Sequence, residues 1–259
     1  MAEPGPLSGR GILITRAAHQ AQPLIDLVRA AGGEPIAFPA LEIRDVADQG
    51  ALNALIGRLD SFDLAVFISP NAVAKAMNLI QEARGGLPAR LAVAAIGRGS
   101  ARELKRHGIA EVLAPAGRFD SEALLELPAL RALAGKFVVI FRGEGGRELL
   151  GDVLTQRGAR VEYAECYRRA RPQSATGDLL RRWSRGEIAA VTVTSAESLR
   201  NLYDMLGKLG CQWLKTTPLF APHPHIADVA RQLGVQTVVV TEQGDEGLVT
   251  GLAAWFSRP

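Results

Sequence analysis

"VVIFRGEGGRELL" (residues 138–150) carries the reading of the whole chain. An apolar, β-branched run ends on Arg142; glycines at 143, 145 and 146 follow, then Arg147. That is the pattern of a buried strand opening into a loop at its carboxyl end. Glycine-rich loops after strands often cradle phosphate, but "GEGGREL" (143–149) lacks the third glycine of a dinucleotide fingerprint and is no Walker loop. Glu144 would also set negative charge where phosphate should lie. A nucleotide site is therefore disfavoured.

The same stretch has a counterpart 126 positions earlier, "ILITRAAHQAQPL" (12–24), with an arginine in the same place and no glycine loop. Sliding the whole chain by 126 lays Arg16 on Arg142, and Leu24, Leu27 and Val28 on Leu150, Val153 and Leu154. Gly32 falls on Gly158, Ser69 on Ser195 and Gly108 on Gly234. A constant offset that preserves strands, helix faces and terminal glycines predicts two equivalent halves. Apolar strands alternating with amphipathic stretches make the class α/β, with parallel sheets flanked by helices. What the halves share is an arginine at a strand's carboxyl end, not a glycine loop.

Bulk properties exclude several functions. The 259 residues are 47% hydrophobic, and 30 basic side chains stand against 27 acidic ones for a net charge of +3. No basic block suggests nucleic acid. No apolar run approaches the roughly 18 residues of a membrane span, and "MAEPGPLSGR" (1–10) has no signal-peptide pattern. Cys166 and Cys211, the only cysteines, show no metal spacing and fit a reducing cytoplasm.

Ligands of open parallel sheets gather outside the carboxyl ends of the strands. The candidates there are Arg16, Ser69, Asn71, Arg98, Ser100, Arg142, Arg147, Thr194, Ser195, His223 and His225. Two such rims facing one another would form a cleft of hydroxyls, amides and guanidiniums suited to an acidic small molecule.

Together "GILITR", "FISPNAV", "AVAAIGRGSA", "DSEALL", "FRGEGGREL", "AECYRR", "VTVTSAESL" and "GLVTGLAAW" resemble the uroporphyrinogen-III synthase family, in its order and over almost the whole chain. The resemblance implies two α/β domains, 1–37 with 170–259 and an inserted 44–160, joined by extended crossings at 38–43 and 161–169. It also implies a substrate, hydroxymethylbilane, that is cyclised with loss of water and inversion of the last pyrrole, without metal or organic cofactor. Folding a substrate that closes unaided to the wrong isomer is mainly a task of orientation, which accounts for the lack of a conspicuous catalytic constellation.

The same resemblance points to Tyr167, whose phenol is a hydrogen-bond donor, as the group that protonates the departing hydroxyl. The family often continues Tyr-x-Thr. Here Tyr167 is followed by Arg168 and Arg169, which removes that threonine as a partner. Alternation along an extended strand sets Cys166 on the side opposite Tyr167. Ser69, Asn71, Ser100, Thr194 and Ser195 match positions that hold acetate and propionate arms, though the same residue types also cap helices. Arg16, Arg142 and Arg147 match positions able to grip carboxylates, with internal salt bridges as the competing role. His225 takes the place of an expected hydroxyl and is read as a carboxylate contact; no metal site is expected. Trp183, Trp213 and Trp255 read as packing residues. The expectation is a cytoplasmic, monomeric enzyme that binds neither nucleic acid nor membrane. A bilobal binding module for an acidic small molecule is the alternative.

Overall fold

The structure, a computed structural model, describes residues 5–257. Among them lie ten strands: β1 (Gly11–Ile14), β2 (Glu34–Ala37), β3 (Glu42–Arg44), β4 (Leu64–Phe67), β5 (Ala92–Ala95), β6 (Phe137–Gly143), β7 (Arg160–Ala170), β8 (Ala190–Thr192), β9 (Leu219–Ala221) and β10 (Val238–Val240). The helices are α1 (Ala18–Ala30), α2 (Gln49–Gly57), α3 (Pro70–Arg84), α4 (Arg98–Arg106), α5 (Ser121–Leu125), α6 (Leu149–Gln156) and α7 (Gly177–Ser184). They continue with α8 (Ala196–Thr216, broken at Gly207), α9 (Pro224–Gln232) and α10 (Gly244–Phe256). No helix among the described residues is long and apolar enough to cross a membrane.

The chain divides into two compact units, Met1–Glu42 with Ala170–Pro259, and Ile43–Arg169. The first holds a sheet of order β10-β9-β8-β1-β2, parallel throughout. The second is ordered β3-β7-β6-β4-β5, and its last four strands pair in parallel. Leu113 adds a parallel bridge to Ala94 of β5. Shifted by 126 positions, β1, β2, β8 and β9 become β6, β7, β4 and β5, and β10 falls on the Leu113 segment. The two sheets thus share one order, entered by the chain at different strands. Residues 160–165 and 167, within or beside the stretch expected as a crossing, are paired with β6.

Alternation along the strands feeds two cores in each unit. In the second unit Val139 and Phe141 face α2, α3 and α4, while Val138 and Ile140 face α5 and α6. In the first, Leu13 and Val191 face α7, α8 and α9, while Ile12 and Ile14 face α1 and α10. Each large apolar side chain so buried contributes roughly 1.5–3 kcal/mol. Phe67 and Phe141 stack with centroids 4.6 Å apart. The three tryptophans pack in or against the first unit's cores. After α1 and α6, Gly32 and Gly158 both take φ near +85°. That left-handed turn is open to glycine and ends a helix cleanly, which is why the repeat keeps a glycine there.

Candidate functional site

Strand order reverses between β4 and β6, where the chain runs outward in opposite directions on the two sides. Such a switch point leaves a crevice at the strands' carboxyl ends. A cavity of about 230 Å³ lies there, lined by Ser69, Arg142, Gly143, Arg147, Tyr167 and Arg169 among others. Larger grooves of about 580 and 790 Å³ lie elsewhere on the same unit. The first is edged by Asp48, Glu144, Glu162 and Glu165 and the second follows the β5 margin, so neither gathers cationic donors as the smaller one does.

Ser69 follows β4 as the N-cap of α3, with Pro70 in the first turn. Its Oγ accepts from the Ala72 backbone N–H at 3.1 Å and lies 3.0 Å from the Tyr167 hydroxyl. The partner absent after Tyr167 in sequence is therefore supplied by Ser69. Tyr167 is 1% exposed. Its ring packs against Gly143, where an added Cβ would come within 2.7 Å of ring carbons. Only glycine lets the phenol lie across the end of β6.

The register explains how Tyr167 comes to lie there. Arg142 pairs with Glu165 but Gly143 pairs with Tyr167, so β7 carries one extra residue at Cys166. A bulge of this kind re-aims the side chain beside it. This corrects the simple alternation expected from sequence, because Cys166 and Tyr167 both pack into one buried cluster. Burial pushes the Cys166 thiol up to about 12, which makes it a packing group rather than a nucleophile.

Arg142 is 5% exposed, donates from Nε to the Gly143 carbonyl at 3.3 Å, and lies 4.5 Å above the Tyr163 ring. The Glu165 carboxylate is 3.7 Å from that Nε and also accepts from the Gly145 backbone N–H at 3.3 Å. Arg147, on the far side of the glycine loop, is exposed and donates to Glu122 at 2.9 Å. Arg169 lies over the Tyr167 ring at 5.8 Å. The pocket thus combines guanidiniums, a loop N–H and a phenol, a set suited to a carboxylate-bearing molecule.

Not every sequence candidate gathers here. Asn71 is half-buried on α3. Ser100 is buried on α4, at 3% exposure, and does not line the cavity. Arg98 opens α4 and lies over the Phe119 ring at 4.8 Å; the remaining candidates belong to the first unit. Ser195 caps α8 and shares a 2.7 Å hydrogen bond with Ser198, and Thr194 precedes it, half-buried. Arg16 is bound to Asp245, in the first turn of α10, at 2.5 Å. His223 caps α9 through Nδ1, accepting from the His225 N–H at 3.2 Å, and His225 itself is exposed. At the first unit's own switch point Thr15 and Thr192 donate to carbonyls across β1 and β8.

Sequence reasoning missed Tyr163, Arg169, Gly143, Glu165 and Glu122. A glycine directly after the strand-ending arginine was the available signal for Gly143. Tyr163, Glu165 and Arg169 are brought in by β7, which pairs with β6, and Glu122 by α5. Among the described residues, no group of three or more His, Cys, Asp or Glu side chains is placed to hold a metal ion.

The family model described as uroporphyrinogen-III synthase HemD matches residues 22–250. The uroporphyrinogen-III synthase of Escherichia coli (strain K12) is 34% identical over 235 residues, spanning 90% of this chain and 96% of its own. Among solved structures, a mutant uroporphyrinogen III synthase from the extremely thermophilic bacterium Thermus thermophilus aligns with a TM-score of 0.57 at 21% identity, covering 95% of this chain and 97% of that one. The uroporphyrinogen-III synthetase of Helicobacter pylori 26695 aligns with a TM-score of 0.61 at 14% identity, over 95% and 99%. These two likenesses show a common fold.

Proposed function

Since the chain belongs to the uroporphyrinogen-III synthase family and so cyclises hydroxymethylbilane in heme biosynthesis, we propose that the pocket at the β4–β6 switch point serves that reaction. A cavity of about 230 Å³ is below the range of whole drug-sized ligands. It suits one pyrrole of the four with its arms, the rest extending beyond it.

Arg142 and Arg147 hold carboxylate arms in this reading, and Tyr167 assists the departing hydroxyl. One hydrogen-bond arrangement does this. A hydroxyl has one donor and two acceptor sites. Ser69 accepts from Ala72 and donates to the Tyr167 oxygen, which leaves the phenolic proton to point into the pocket. The substrate's hydroxyl takes a proton as its C–O bond breaks and departs as water, and the pyrrole lone pair stabilises the cation left behind. The terminal pyrrole then attacks through its substituted carbon to give a spiro intermediate. That intermediate opens and recloses with the ring inverted, and a proton is lost to restore aromaticity.

The observation that carries this reading is the 3.0 Å contact that aims a solvent-shielded phenol at the side of a pocket lined by arginines. Ser195, Thr194, Asn71, Ser100, Arg16 and His225 remain in the proposal as weaker candidates for other arms. Of these Arg16 is already engaged by Asp245. No step is assigned to a metal or organic cofactor. We also infer a cytoplasmic monomer: both thiols are free and buried, and among the described residues large exposed apolar side chains, such as Phe119 and Leu209, are few.

Purified, metal-free protein given fresh hydroxymethylbilane tests the reading through the type III to type I product ratio against a protein-free control. Predominant type III that depends on Tyr167 supports it. Unchanged type III yield and rate from Tyr167→Phe would remove the phenol from the chemistry.

A further inference from the structure

Two of the three pocket arginines, Arg142 and Arg147, already hold carboxylates, and those carboxylates belong to the chain itself. Glu165 Oε1 accepts from the Gly145 N–H at 3.3 Å and lies 3.7 Å from Arg142 Nε. Glu122 Oε1 accepts from Arg147 Nη2 at 2.9 Å. The two glutamates come from different elements, β7 and α5, yet converge on either side of one glycine loop.

Neither is locked in place. The Glu165 and Glu122 side chains are 44% and 43% exposed, so each can turn into water. The Arg147–Glu122 pair is exposed on both sides, and such pairs are weak; Glu165 stands 3.7 Å from the buried Arg142 Nε, beyond hydrogen-bond reach. The second oxygen of Glu122, Oε2, is shielded from solvent and has no hydrogen-bond partner. Its present pose therefore leaves an acceptor unsatisfied, which favours release once another anion competes for Arg147.

We propose that Glu165 and Glu122 are placeholder carboxylates that occupy the positions taken by two substrate carboxylates, and so set the affinity and specificity of the site. The proposal rests on the reading of Arg142 and Arg147 as carboxylate-binding. A monocarboxylate exchanges one carboxylate for another and gains little. A molecule that carries several on one frame displaces both glutamates for a single loss of translational freedom. The glutamates thus select for polycarboxylates and keep small acids out.

Steady-state kinetics with fresh hydroxymethylbilane on Glu122→Gln, Glu165→Gln, Arg147→Ala and the Glu122→Gln/Arg147→Ala double variant tests this. Removing the competing charge should lower KM about two- to fivefold in each glutamine variant, with kcat kept. Arg147→Ala should raise KM, and the double variant should match it, because Glu122 acts only through Arg147. If Arg147→Ala raises KM while both glutamine variants leave it unchanged or raise it, the glutamates merely brace the loop and the proposal is overturned. If KM is unchanged in Arg147→Ala and in Arg142→Gln, the arginine reading itself fails. Glutamine matches glutamate in shape, and a thermal melt of each variant separates a folding defect from a binding effect.

Discussion

The hydroxyls of Tyr167 and Ser69 lie 3.0 Å apart although 98 residues separate them in the chain. Ser69 caps α3 at the same time, so the phenol is anchored to a helix N-terminus rather than to a flexible side chain. Tyr167→Phe keeps the ring and removes the donor. It should lower kcat about a hundredfold, in the range of general-acid contributions, and change KM less than twofold. A raised KM with normal kcat would make Tyr167 a binding residue instead.

Gly143→Ala should reach the same step from the other side of the ring. A Cβ 2.7 Å from ring carbons must push the phenol off its present position. Overpacking of this kind costs about 1–3 kcal/mol. Denaturant melts should show that loss, and kcat should fall while KM holds. In a Tyr167→Ala background the extra methyl should be nearly silent, since the ring it strikes is gone.

Arg142→Gln should raise KM roughly tenfold or more, as expected for losing charge-assisted hydrogen bonds. The substitution also removes the cation stacked on Tyr163, so a drop in melting temperature should accompany it. Normal KM in a folded Arg142→Gln protein would assign the arginine to packing alone.

The buried Cys166 thiol, pushed up to about 12 from an ordinary value near 9, links stability to alkaline pH. The folded state holds its proton where the unfolded state gives it up. Stability is therefore fully present below about 9 and falls as pH rises towards 12. Urea melts from pH 8 to 11 should show a steeper decline for the parent than for Cys166→Ala. The native thiol should also resist maleimide until the protein unfolds.

Asp63 gives the opposite slope at acid pH. Its carboxylate accepts from the Phe137 N–H at 2.8 Å and from Lys136 at 3.1 Å, which holds it below the usual carboxylate range. That contribution is present above the unfolded carboxylate value of about 4 and is lost as pH falls below it. Asp63→Asn should cost about 1 kcal/mol at pH 7, and a difference that persists undiminished at pH 2 would contradict this origin.

The residue pattern by itself determined the α/β class, the 126-residue repeat, the glycines that end equivalent helices and the arginines at strand ends. These are local signals: periodicity says which faces are buried, and a left-handed turn demands glycine wherever it occurs. Residues 16 and 142 are equivalent in sequence, yet Arg16 is held by Asp245, 229 positions away, while Arg142 opens onto a pocket. Locally they differ only in the glycine loop that follows Arg142, which says nothing of the distant partner that Arg16 finds. The tertiary structure alone decided that difference, the extra residue at Cys166 that re-aims Tyr167, and the arrival of Ser69, Glu122 and Glu165 beside it. Each depends on strand order and register, which long-range packing selects from many pairings that one pattern of apolar residues permits.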